Sequence, residues 1–124
     1  MYSIHKDFTF AAAHQIRGHT GGCERVHGHN YRVRVCLASE TLDDLGMVMD
    51  FADLKQIMAQ ILQPFDHRLI NDVAPFDEIN TTAELFAEHV FLEVRDRLPE
   101  SNRVRVRYVE VWENDTSCAR FEES

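Results

Sequence analysis

Apolar and polar residues alternate in two stretches near the start of the chain. Across Tyr2 to Ala13 the apolar side chains recur at every second position, and His14 falls next on that face. Asn30 to Ala38 alternates in the same way, and extending its register backwards puts His27 and His29 on its apolar face. Both stretches therefore predict β-strands.

Two later stretches carry helical spacing. Asp50 to Gln63 has apolar residues at i, i+3 and i+4, Asp50 can cap its first turn, and Pro64 ends it. A second amphipathic helix is predicted from a capping box at Thr81-Thr82-Ala83-Glu84 to about Leu98, with Pro99 closing it.

The rest of the chain supplies a loop and a hairpin. Residues 15–25 hold three of the five glycines and predict the loop between the first two strands. Arg103 to Glu113 is predicted as a strand, Asn114-Asp115 as a turn and Ser117 to Phe121 as the partner strand. The element order β-β-α-α-β-β predicts an α+β fold with two helices on one face of a four-stranded antiparallel sheet.

Composition narrows the class of protein without naming a function. A chain of 124 residues, 44% hydrophobic and 27% charged, is expected to form one globular domain over residues 1–124. No apolar run is long enough for a membrane span, and a net charge of −8 disfavours nucleic acid as a partner. Three cysteines, an odd number without an export signal, predict reduced thiols and a cytoplasmic location.

The histidines carry the first chemical signal. His14, His27 and His29 fall on matching faces of two adjacent predicted strands, so their imidazoles are expected to converge. Three neutral imidazoles suit Zn²⁺ and leave a fourth position open, as in catalytic zinc sites. The alternative, surface histidines plus one core histidine, is less favoured because all three align.

A cysteine lies close to this group. Cys23 precedes His27 by four residues, so it is either a fourth ligand of a closed structural site or a thiol that does chemistry beside an open one. The spacing does not decide between these. Cys36 and Cys118 lie in strand-like contexts and are predicted to be small hydrophobic residues.

Four further residues are candidates for a role from their local context. Asp66 and His67 follow the first helix, where a carboxylate could fix the tautomer of an imidazole or simply cap a loop. Glu113 ends a strand, either as a buried ligand anchor or as a solvent-facing residue. His89, on the inner stripe of the second helix, is predicted to be a core histidine.

Several strings together resemble one enzyme family. They are FTFAAAH, C-x3-HGHNY, MDFADLK, FDHRLIND, NTTAE and VEVWE, in order from Phe8 to Glu113. The chain is similar to the 6-pyruvoyltetrahydropterin synthase family, and the C-x3-HGH spacing resembles the bacterial branch that forms 6-carboxytetrahydropterin for queuosine. The chain departs from that family at Asn80-Thr81-Thr82, where Asn-Pro-Thr is frequent, and at Gln15, where Arg is common.

The resemblance implies a tunnelling fold, in which subunits form trimeric barrels that pair into homohexamers with active sites between subunits. It implies that His14, His27 and His29 bind zinc, that Cys23 is the catalytic base and that Asp66 and His67 complete the catalytic group from a neighbouring subunit. Its pterin site would comprise the following residues: Thr82, Ala83 and the anchor Glu113.

The activity implied is the conversion of a small-molecule pterin triphosphate, 7,8-dihydroneopterin triphosphate, to 6-carboxytetrahydropterin with loss of acetaldehyde and triphosphate. Local basic residues such as Lys6, Arg17 or Arg25 would have to offset the net charge of −8. Two alternatives stay open: another dihydropterin enzyme of this fold, forming the 6-pyruvoyl product or only cleaving side chains, and a zinc-stabilised binding module without turnover.

Overall fold

A computed structural model describes residues 1–18, 21 and 24–123 of the protein. Its main elements follow the predicted order β-β-α-α-β-β, which confirms that prediction. They are β1 (Tyr2–His14), β2 (His27–Ser39), α1 (Phe51–Leu62), α2 (Ala83–Arg97), β3 (Arg105–Asn114) and β4 (Ser117–Phe121), with a short 3₁₀ turn at Ile70–Asp72.

The four strands form one antiparallel sheet in the order β1-β2-β3-β4. β2 begins at His27, earlier than predicted, because its first residues pair with the end of β1 down to the His14–His27 pair. β2 and β3 are the central strands, so β1 and β4 form the two edges of the sheet.

The hydrophobic core lies between one face of the sheet and the two helices. Strand residues such as Val33 and Val111 are completely buried there, and they pack with Leu54 of α1 and Val90 of α2. Burial of such side chains contributes roughly 1.5–3 kcal/mol each. The helices therefore cover one face of the sheet, as predicted.

Of the two predicted helix caps, the structure confirms one and contradicts the other. Asp50 caps α1 as predicted, because its carboxylate accepts from the Ala52 N–H at 2.8 Å. The capping box beginning at Thr81 is wrong. The hydroxyl of Thr82 caps α2 by accepting from the Leu85 N–H, while Thr81 is buried against His14.

The two remaining cysteines differ in environment. Cys36 is buried, as predicted for a small hydrophobic residue. The same prediction is wrong for Cys118, which is exposed because β4 is an edge strand and its side chain lies on the face that the helices leave uncovered. No helix in the described ranges combines the length and apolar character needed to cross a membrane.

Candidate metal centre

Strand register brings three histidines together. His14 pairs with His27, and His29 is two residues further along β2 on the same face. Their candidate ligand nitrogens all lie within 4.8 Å of one another. His14 is fully buried and the other two are partly buried. The three are therefore positioned to bind one metal ion.

Hydrogen bonds at Nδ1 orient two of these rings. His14 Nδ1 lies 2.9 Å from the Thr81 carbonyl oxygen, and His27 Nδ1 lies 2.7 Å from the Arg25 carbonyl oxygen. A carbonyl oxygen only accepts, so Nδ1 carries the proton in both rings and Nε2 keeps its lone pair. Carbonyl partners of this kind are typical of metal-binding histidines.

The arrangement of the Nε2 atoms suits binding of a cation and not a hydrogen bond between the rings. Those of His14 and His27 are 3.0 Å apart, although neither carries a proton in the tautomer that the carbonyls select. Nε2 of His29 is buried with no hydrogen-bond partner among the described residues. Three converging imidazole nitrogens match the donor set of three-histidine Zn²⁺ sites.

The electrostatics keep the most buried ligand neutral. Burial lowers the pKa of His14, although the Thr81 carbonyl and the nearby Glu113 carboxylate act in the opposite direction. A neutral imidazole is the form that binds metal. His14 is therefore held in the binding form at neutral pH.

Glu113 lies beside the histidines at the end of β3. Its Oε2 is 3.9 Å from Nε2 of His29, and the pairing of β3 with β4 is irregular between Trp112 and Asn114. This irregularity leaves Glu113 without a cross-strand partner, with its side chain on the inner face of the sheet. The side chain is thus neither deeply buried nor a solvent-facing strand end.

A cleft of about 450 Å³ adjoins Glu113. Thr82 and Ala83 at the start of α2 line one side, and residues 117–120 of β4 line another. The structure therefore brings together the three residues for which the sequence resemblance implied a pterin site. The cleft lies next to the three histidines, because Glu113 lines it and is also close to His29.

Sequence reasoning assigned no role to Tyr31, which the structure places against the metal centre. Its ring centroid lies 5.3 Å from that of His29 and 5.9 Å from that of His14. The hydroxyl is buried without a partner among the described residues, and burial, reinforced by Glu113, raises the pKa of Tyr31 far above its usual value. Its position two residues after His29 was the available signal.

Asp66 and His67 lie elsewhere, along the edge of β1 that faces away from β2. Asp66 Oδ1 accepts from the Ala11 N–H at 3.1 Å, and the His67 N–H donates to the Ala11 carbonyl. The carboxylate is 2.9 Å from His67 Nδ1, so the expected carboxylate–imidazole pair is present. His67 is 81% exposed and has a φ of 59°. Left-handed backbone is uncommon for a non-glycine residue and concentrates at functional positions.

This pair does not contact the three histidines. A groove of about 540 Å³ runs from His67 and Arg68 across the alanines of β1 to Gly28 and His29. The pair and the three histidines thus lie near the same part of β1, but no contact joins them among the described residues.

Three other residues named from the sequence are Cys23, His89 and Arg17. Cys23 lies outside the described residues, and its role stays a prediction. His89, predicted to be a core histidine, is partly buried and packs against two core rings, with its ring centroid 5.7 Å from that of Phe65 and 5.4 Å from that of Phe76. Arg17 donates to the Phe76 and Ile79 carbonyls, so its charge already serves the loop that precedes α2.

The sheet with two helices and the three-histidine group define an α+β protein with a candidate metal site, and comparison with known proteins gives the family. The model of the 6-pyruvoyl tetrahydropterin synthase family matches residues 3–124. The chain belongs to this family and is an enzyme.

Individual relatives agree with that placement. A 6-carboxy-5,6,7,8-tetrahydropterin synthase of Synechocystis sp. is 38% identical over 126 residues, covering 98% of this chain and 93% of that protein. The 6-pyruvoyl tetrahydrobiopterin synthase of Homo sapiens is 39% identical over 98 residues, which cover 77% of this chain and 65% of that protein. The structure of 6-pyruvoyl tetrahydropterin synthase from Caenorhabditis elegans matches with a TM-score of 0.88 and 26% identity, covering 99% of this chain and 96% of that one.

Proposed function

We propose that this protein is a zinc-dependent 6-carboxy-5,6,7,8-tetrahydropterin synthase, a carbon–carbon lyase of queuosine biosynthesis. It converts 7,8-dihydroneopterin triphosphate and water to 6-carboxytetrahydropterin, acetaldehyde and triphosphate, in the cytoplasm, as one domain over residues 1–124. The observation that carries the proposal is the position of Glu113 between the three-histidine group and the cleft. The Synechocystis relative bears the name of this activity.

In this proposal, His14, His27 and His29 hold the zinc ion. These residues would hold a Lewis acid, whose chemistry would be to polarise a side-chain hydroxyl of the pterin and make the adjacent C–H bond more acidic. The protein keeps the site ready, because the carbonyls of Thr81 and Arg25 hold two of the rings with Nε2 directed at the metal position.

Glu113 anchors the pterin ring. An ionised carboxylate accepts two hydrogen bonds, which matches the paired N–H groups on the guanidine-like edge of a pterin. Thr82 and Ala83 line the same cleft, and the Thr82 hydroxyl accepts from the Leu85 N–H, which leaves its own proton for a ligand. The ring would therefore lie in the cleft with its side chain directed towards the histidines.

Cys23 is proposed as the base, assisted by Asp66 and His67. Asp66 accepts the Nδ1 proton of His67, so Nε2 of that ring is free to take a proton from a thiol. The pair lies at the exposed edge of β1 without contacting the histidines of its own chain. We therefore assign it to the active site of a neighbouring subunit.

The proposed assembly is a homohexamer, a dimer of trimers. Tyr2 to Thr9 of β1 pairs with β2 on one side and with no strand of the described residues on the other, and β4 pairs only with β3. Open edges expose unpaired backbone groups, and joining three sheets into a barrel pairs them. Light scattering at micromolar concentration is expected to give six subunits, and a monomer would contradict shared active sites.

The product identifies the activity. Zinc-loaded protein incubated with 7,8-dihydroneopterin triphosphate should yield a pterin with the mass of 6-carboxytetrahydropterin, together with acetaldehyde. The human relative gives a reason to look for a second product, since a 6-pyruvoyl pterin would place the chain with the pyruvoyl-forming enzymes. Zinc binding without any turnover would instead favour a binding module.

A further inference from the structure

The segment that leaves β1 has its backbone bonded by side chains instead of by a strand. β1 and β2 stop pairing at the His14–His27 pair, and residues 15–17 follow. Asn71 Oδ1 accepts from the Gln15 N–H, and its Nδ2 donates to the Gln15 carbonyl, both at 2.8 Å. Asn80 does the same at Arg17, with both distances 3.0 Å.

The two asparagines reproduce an antiparallel ladder. In such a ladder every second residue exchanges an N–H and a C=O bond with one residue opposite. Gln15 and Arg17 are two apart, and each exchanges both bonds with one carboxamide. Ala11 and Ala13 of β1 are bonded by residues 66–68 in a similar way, so the asparagines extend this row of bonds along the segment that follows His14.

Thr81 connects this pair to the metal centre. Its hydroxyl donates to the Gln15 carbonyl at 3.2 Å and lies 3.2 Å from His14 Nδ1, whose proton the Thr81 carbonyl accepts at 2.9 Å. Asn80 Oδ1 also accepts from the Thr81 N–H. Asn71 and Thr81 are both buried, so these bonds are shielded from competing water.

We propose that Asn71, Asn80 and Thr81 are positioning residues of the metal centre. The asparagines hold the backbone that follows His14, and the Thr81 carbonyl keeps the proton on Nδ1, so that Nε2 faces the metal position. The inference rests on the metal site of the proposed function. It adds three residues that are neither ligands nor part of the pterin site.

A purely structural role would predict a different result. Bonds between side chains and backbone stabilise any fold, and Arg103 makes a comparable set at the opposite end of the sheet, donating to the carbonyls of Thr41 and Val48. Arg103→Met is therefore the matched control. It should lower the melting temperature of the metal-free protein and leave zinc affinity unchanged.

The test measures zinc affinity in the full chain by competition with a chelator, without any pterin. Asn71→Leu and Asn80→Leu keep the approximate side-chain size, add no charge and remove both bonds, and each should weaken zinc binding by about 10- to 100-fold. Thr81→Val should weaken it by about tenfold, and Thr81→Ser, which restores the hydroxyl, should bind within threefold of wild type. Nitrogen-15 shifts of the His14 ring should show a mixture of tautomers in the asparagine variants.

Zinc affinities within threefold of wild type in all three variants, whatever their melting temperatures, would overturn the inference. If the leucine variants do not fold, the Thr81→Val and Thr81→Ser pair decides alone. Because no substrate is present, this outcome is separate from failure of the proposed function. A wild-type protein that binds zinc but makes no pterin product would contradict only the latter.

Discussion

The three histidines and the Asp66–His67 pair flank the same end of β1 but are built in opposite ways. The histidines lie on the helix-covered face, where paired strands fix their spacing and Thr81 fixes the ring of His14. Asp66 and His67 lie on a loop at the strand's open edge, and the His67 imidazole faces solvent.

In the proposed hexamer, this difference would separate what one chain completes from what the assembly completes. The three histidines are brought together by the register of β1 and β2 and by the contact of Thr81 with His14, all within one chain. The Asp66–His67 pair is held to its own β1 by backbone bonds at Ala11, yet its reactive nitrogen has no target within the described residues. A preformed half and an exposed half are what a site shared between subunits requires.

The largest expected effect comes from removing any one of the three histidines. His14→Ala, His27→Ala or His29→Ala should each remove most of the bound zinc and reduce turnover at least a thousandfold, because two imidazoles hold zinc poorly. Metal analysis and product formation on the same preparations check this. His5→Ala, an exposed histidine on the same strand as His14, is the control and should keep its zinc. Full zinc occupancy in two of the three variants would contradict the metal assignment.

The next effect tests whether Cys23 is the catalytic base or a zinc ligand. Cys23→Ala should keep zinc and pterin affinity but lose turnover by several orders of magnitude, and His67→Ala should lose about 10²–10⁴-fold. If Cys23 is instead a ligand, zinc and activity should fall together in Cys23→Ala.

Mixing the two inactive variants sharpens the comparison. Hexamers reassembled from Cys23→Ala and His67→Ala subunits should regain part of the activity, because some sites then combine an intact Cys23 with an intact His67 from different chains. Mixed hexamers that stay inactive would place both residues of each site on one chain.

A smaller effect concerns Glu113. Glu113→Gln replaces one acceptor oxygen with a donor, so pterin binding should weaken by ~2–4 kcal/mol in calorimetric titration. Glu110→Gln is the control, since Glu110 lies on the other face of the sheet and pairs with Arg120 at 3.0 Å. Equal losses in the two variants would show that Glu113 is not the anchor.

The smallest effect concerns His89, a partly buried histidine outside the site. Burial lowers the pKa of His89 below 6.5, so the unfolded chain binds a proton there that the folded chain does not. The free energy of unfolding of the metal-free protein should therefore fall as the pH drops below about 6.5, by at most about 1.4 kcal/mol per pH unit for this group. His89→Phe should flatten that slope in denaturant titrations at several pH values, although His14 contributes with the same sign. An unchanged slope would contradict the assignment.

Local patterns were enough to predict the element order and the convergence of the three histidines. Alternation at a period of two is a property of the strand itself, so His27 and His29 share a face once β2 forms. The cap at Asp50 was also predictable from local sequence, because it joins residues that are only two apart in the chain. The roles of Cys23 and Glu113 came from family resemblance and remain proposals.

Tertiary structure decided the features that depend on contacts between distant residues. Thr81 fits a helix cap by local sequence, yet it turns to His14, 67 residues away, and Thr82 takes the cap. Asn71 reaches Gln15 across 56 residues, and Asp66 reaches Ala11 across 55. No local period encodes such pairs, because they form only after the helices pack on the sheet and bring the loops of one end together.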